Sequence, residues 1–95
     1  MEFEWDEAKR ERNRAKHAID FIGAHTIWEE KYLDPYSERL VAGETRNMAL
    51  GTMTGDETII AVVYVWRNGV RLIISARRAR RHEREDYKSA FGRGC

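Results

Sequence analysis

The chain has 95 residues, enough to close one hydrophobic core and too few for two. Its only cysteine is the last residue, Cys95, and its longest apolar run, Ile59 to Trp66, spans eight residues, which excludes a disulfide scaffold, a Cys-based zinc finger and a membrane helix of ~20 residues. The net charge of +1 is unevenly spread: residues 1–70 hold nine Lys/Arg against thirteen Asp/Glu, and residues 71–95 hold eight against three.

The start, Met-Glu-Phe-Glu-Trp-Asp, is acidic where a signal peptide is basic and then apolar, so the expected location is the cytoplasm. Phe3-Glu4-Trp5 alternates like a short, half-buried strand. Asp6 can cap a helix over Asp6 to Lys16, which contains no Gly, Pro or β-branched residue. Its apolar stripe is thin, and Glu7–Arg10 and Glu11–Arg14 fall at ion-pair spacing, as on an exposed surface helix. Asp20 is a second cap, opening Phe21 to Glu30 with Phe21, Ala24, Ile27 and Trp28 on one face. Asp34-Pro35 then reads as a turn that ends this region.

From Glu38 the period falls to about two. Leu40-Val41 fits a short edge strand, followed by strands over Thr45–Met53, Thr58–Trp66 and Val70–Ala76. Asn68-Gly69 between β-branched runs is a hairpin signal, so the three form a meander. The middle run is apolar on both faces and should be central. Ser75 is expected to cap, or nearly cap, a final helix from Arg77 to Ala90, and the tail from Gly92 to Cys95 is expected to fray. The class is α+β, one domain over 1–95, with helices on one side of an antiparallel sheet.

No metal constellation and no cofactor motif is present. His17, His25 and His82 lack ligand spacing, and no glycine loop runs into Gly-Lys-Ser/Thr. Thirteen of the seventeen basic residues are Arg, the residue suited to bidentate phosphate contacts. Such a block implies either a focused anion site or a solvated face laced with ion pairs. The polar residues at element junctions are Lys16-His17, Glu44 and Arg46, Tyr64 and Arg67, Arg71, and Arg77-Arg78. Hairpin geometry puts Arg67 and Arg71 at one end of the sheet and Arg77-Arg78 at the other. Each has a structural alternative: His17 on the last helix carbonyls, Glu44 in a cross-strand ion pair, Glu83 as a buried acceptor for an Arg.

Phe3-Glu4-Trp5-Asp6 with Lys9, Asn13, Lys16-His17 and Phe21 resembles the N-terminal signature of the BrnT toxins. So do Asp34-Pro35, Gly43-Glu44-Thr45-Arg46, Gly51, Val63-Tyr64 and, most specifically, Arg71-Leu72-Ile73-Ile74-Ser75-Ala76-Arg77-Arg78-Ala79 followed by Glu83-Arg84 and Tyr87. The resemblance covers residues 3 to 87. Ala18 departs from it, standing where the family usually has Gly. The resemblance implies a RelE-like α+β fold and a type II toxin that cleaves RNA without metal and blocks translation. It also implies a BrnA-like antitoxin, through which alone the pair would contact promoter DNA. On this reading His17, Glu44, Tyr64, Arg71 and Arg77 supply proton transfer and transition-state charge. Lys16, Arg46, Arg67, Arg78 and Arg81 bind RNA phosphate. The alternative is a binding module or co-repressor that does not cleave.

Overall fold

In a computed structural model, which describes residues 3–91, five strands form one sheet with helices on both faces. Strand β1 (Phe3–Trp5) leads into helix α1 (Glu7–His17). Helix α2 (Phe21–Ala24) follows and continues as a 3-10 turn over His25–Glu29. Then come β2 (Tyr32–Val41), β3 (Glu44–Thr52), β4 (Ile59–Arg67), β5 (Val70–Arg78) and helix α3 (Arg81–Ala90). The spatial order is β1-β5-β4-β3-β2, so the meander holds and β4 is the central strand.

Both expected caps form. The Asp6 carboxylate accepts from Ala8 and Lys9 N–H, and Asp20 accepts from Ile22 N–H. These bonds satisfy the orphan amides of a first helical turn. Arg10 donates to both oxygens of Asp20 at 2.8 and 3.0 Å, tying α1 to the start of α2.

Four expectations change. The sheet is mixed rather than antiparallel, because β1 pairs with β5 in parallel. The edge strand is ten residues long, and Asp34-Pro35 lies inside it rather than in a turn. The β2–β3 register slips between Leu33 and Ser37, and an edge strand at an irregularity is where Pro, lacking an N–H, is tolerated. Strand β5 runs on to Arg78, so Ser75 is mid-strand, and α3 begins only at Arg81. There Glu83, in the third position of the helix, turns back to accept the N–H of the cap residue Arg80 at 2.7 Å. Finally, helices cover both faces. Phe21, Ala24, Ile27 and Trp28 pack with Ala49, Ile60, Val62, Tyr64, Ile73 and Ala76 on what we term the inner face. On the outer face, Leu50, Ile59 and Ala61 pack with Ala79 and Tyr87 of the α3 region. Cys95 and the tail 92–95 lie outside the described residues.

Val62 in β4 is fully buried, with Ala49 and Ala76 beside it in the neighbouring strands. Val62→Asp is expected to unfold the protein, because an unpaired carboxylate there costs several kcal/mol, comparable with the stability of a small domain. A cooperative thermal transition near the wild-type temperature would refute this.

Glu83 is almost wholly buried and receives two Arg77 hydrogen bonds, at 2.8 and 2.9 Å. Arg77 above all, with help from the Arg80 amide, holds its carboxyl down at about 2 against the carboxyl's own desolvation. A folded carboxyl lowered in this way stabilises the fold above its ordinary value of 4.5, and the stabilisation is lost as pH falls from there toward about 2. Glu83→Gln is therefore expected to flatten the decline of stability across that window. An unchanged acid limb in denaturant titrations would count against the pair's role.

Candidate functional site

Side chains alternate across a strand, so the register assigns them to faces. Helix α3 covers only one end of the outer face. The rest is a groove with α1 on one side and β2 on the other. Two adjoining cavities, of about 360 and 410 Å3, share Arg46, Ile74 and Ser75. The first adds Ser37, Arg39, Val41, Met48 and Val63, and the second adds Lys9, Arg12, Asn13, Lys16 and His17.

Helix α1 is planted by Asn13. Strand β1 covers β5 only from Arg71 to Ile73, leaving the β5 edge beyond Ile73 without that partner. Asn13, buried on α1, takes over at Ala76. Its Nδ2 donates to the Ala76 carbonyl at 2.8 Å and the Ile19 carbonyl at 2.9 Å, and its Oδ1 accepts the Ala76 N–H at 3.1 Å. Lys9, Arg12 and Lys16 lie at helical spacing around it and line the groove with His17. The groove floor contains a β-bulge. Ile73 faces Tyr64 and Ser75 faces Val63, so Ile74 is the extra residue.

The charges are distributed unequally. Among the described residues, no carboxylate lies within 4.0 Å of the side-chain nitrogens of Lys9, Arg12, Lys16, His17, Arg39 or Arg46. Arg10, Arg14, Arg67, Arg71, Arg77 and Arg81 all have one. Arg39 and Arg46 are direct cross-strand partners. Like charges so placed repel, which is unfavourable unless an anion lies between them.

The expected site residues therefore divide. Lys16, His17 and Arg46 meet in the groove. Arg77 borders it, 3.9 Å from the Met48 sulfur, with its fork committed to Glu83. Glu44 and Arg67 form an exposed ion pair at 3.1 Å. That pair, with weaker help from Arg46 and Lys9, holds the Glu44 carboxyl below its usual range. Arg78 is exposed at the far end of β5 opposite Ile60, and Arg81 pairs with Glu85 at 3.3 Å. Tyr64 and Arg71 sit on the inner face. Arg71 donates to Asp34 at 2.9 Å, Trp28 Nε1 donates to the same carboxylate at 2.8 Å, and the Tyr64 hydroxyl donates to its other oxygen. With Glu38, Glu44 and Trp66 they line a separate, more acidic cavity of about 470 Å3.

Lys9, Arg12 and Arg39 were not among the expected site residues. The signal for the first two was present, since Lys9, Arg12 and Lys16 follow helical spacing. Arg39 becomes visible only through the β2–β3 turn, where Ala42 and Gly43 both take positive φ and set Val41 opposite Glu44.

Residues 5–83 match the model of the family described as ribonuclease toxin, BrnT, of type II toxin-antitoxin systems. The chain belongs to the BrnT toxin family. Comparison with curated proteins gives no match. Ala18 caps α1 in the left-handed conformation at φ 59°, the conformation that favours glycine. The family accounts for a ribonuclease activity and for an antitoxin partner. Among the described residues, no helix is long and apolar enough to cross a membrane.

Proposed function

We propose that this BrnT chain cleaves RNA in the groove between α1 and β2, without a metal ion, and thereby blocks translation. The observation that carries this reading is the set of basic side chains lining the groove with no carboxylate within 4.0 Å among the described residues, above all Arg39 directly opposite Arg46. A phosphodiester backbone supplies the missing anion.

In the reaction, the 2′-OH attacks its neighbouring phosphorus as a base removes the hydroxyl proton. The bond to the 5′-oxygen breaks and an acid protonates that oxygen, leaving a 2′,3′-cyclic phosphate and a 5′-hydroxyl. His17 is the first proton-transfer residue, because it lines the groove and its ring carries two nitrogens that can donate or accept a proton. Glu44, which lines the neighbouring cavity at the start of β3 but lies within electrostatic reach of Arg46 and Lys9, is the second. Arg46 and Lys16 hold the non-bridging oxygens as charge builds on them. The buried bonding of Tyr64, Arg71 and Arg77 supports a framing role for these three. Arg67, Arg78 and Arg81 bind RNA only where it extends beyond the groove. We read the fold as RelE-like and the partner as a BrnA-like antitoxin that makes the promoter contacts.

The test is cleavage of a defined RNA in EDTA, with the product ends analysed. Expected are a cyclic phosphate and a 5′-hydroxyl, formed at an unchanged rate in the chelator. Activity that disappears in EDTA and returns with added Mg2+ would refute the mechanism.

A further inference from the structure

Strand β2 ends the sheet and, among the described residues, pairs only with β3. Such an edge presents unpaired N–H and C=O groups that template another strand. Pro35 and the register slip between Leu33 and Ser37 blunt its first half. The second half, Ser37 to Val41, keeps regular register with Met48 to Glu44. Its two faces differ in chemistry. Arg39 and Val41 point into the basic groove, and Arg39 stands opposite Arg46. Glu38 points to the other face, and by alternation so does Leu40, which is 70% exposed.

We propose that the antitoxin neutralises this toxin by adding an extended segment to the β2 edge at Ser37–Val41, with a carboxylate on the groove face opposite Arg39, in the row that also holds Arg46, and an apolar residue against Leu40. The proposal rests on the reading of the groove as the RNA site, since the segment would lie along the groove's rim and its carboxylate would compete with phosphate. Charge selects this occupant. Antiparallel pairing with a second copy, centred on the same five residues, would set Arg39 against Arg39 beside both Arg46 side chains, which is repulsive. Backbone pairing then supplies affinity and the alternate side chains supply specificity.

The test is hydrogen–deuterium exchange on the full chain, free and in the co-purified toxin–antitoxin complex, together with two variants. The amides of residues 37–41 are expected to gain protection in the complex. Leu40→Asp is expected to cleave RNA at the wild-type rate yet bind the antitoxin at least about tenfold more weakly. Arg39→Glu is expected to impair both functions. Unchanged exchange over 37–41 in the complex, or wild-type antitoxin affinity in Leu40→Asp, overturns strand addition. Concentration-dependent protection of 37–41 without antitoxin assigns the edge to a second copy and also overturns it. The two readings fail separately. Normal cleavage by Arg46→Ala removes the groove as the RNA site, whereas unprotected 37–41 amides remove the strand.

Discussion

Arg46→Ala is expected to slow RNA cleavage by about 10²–10³-fold while leaving the melting temperature unchanged or slightly raised. The loss is that of one preorganised donor facing charge that develops only in the transition state. The stability forecast follows from the neighbours. Arg46 has no carboxylate within ion-pair distance among the described residues, so its removal leaves no buried anion. It is half-buried, so some contact along its aliphatic stem is lost. Against that, its repulsion with Arg39 disappears, and cross-strand terms of this kind are worth roughly 0.2–1 kcal/mol. Lys at 46 keeps the charge but loses the fork, so partial rescue is expected. Single-turnover cleavage and thermal unfolding on the same preparations check both halves. Normal cleavage with a large drop in melting temperature would make Arg46 a structural residue.

The contrast between paired and unpaired arginines explains which parts of the site were legible in the sequence. Strand positions followed from alternation and the Asn68-Gly69 turn, and the central place of β4 followed from its apolar run on both faces. Lys16, His17 and Arg46 were recognised as polar residues at element junctions. Whether an arginine is committed depends on contacts distant in sequence. Arg77 meets Glu83 only because β5 runs on past Ser75 and α3 then folds back over its end. Strict alternation would also put Ile73 and Ala76 on opposite faces. Both are fully buried in the same cluster because the bulge at Ile74 shifts the register. Asp34-Pro35 has the composition of a turn, and tertiary pairing overrode it. Once the pair lay inside β2, Asp34 became the acceptor for Arg71, Tyr64 and Trp28. The Asn13 anchor is equally opaque locally, since its partner Ala76 is 63 positions away.

Arg71→Ala is expected to destabilise the fold by about 3–5 kcal/mol, a large part of the ~5–15 kcal/mol that holds a small domain together. The side chains of Arg71 and Asp34 are only 8% and 5% exposed, so deleting the cation leaves a nearly buried carboxylate without its countercharge. The Tyr64 hydroxyl does not compensate. Burial first, and then the bond to Asp34, pushes it up to about 12, so it remains a neutral donor at physiological pH. Arg71→Lys should recover little. The guanidinium lies 4.4 Å from the Trp28 ring centroid and 4.6 Å from that of Trp66, and a more strongly hydrated ammonium without the planar fork matches these two contacts poorly. Asp34→Ala should cost a similar amount for the mirror reason. The double variant Arg71→Met with Asp34→Leu should recover part of the loss, because an apolar pair removes both buried charges. Recovery stays incomplete, since Trp28 Nε1 and the Tyr64 hydroxyl would lose their acceptor. Denaturant unfolding of the four variants, with cleavage measured per folded molecule, separates this role from catalysis. If Arg71→Ala melts like the wild type and loses cleavage, then its charge acts on the phosphate and the buried network does not carry this end of the sheet.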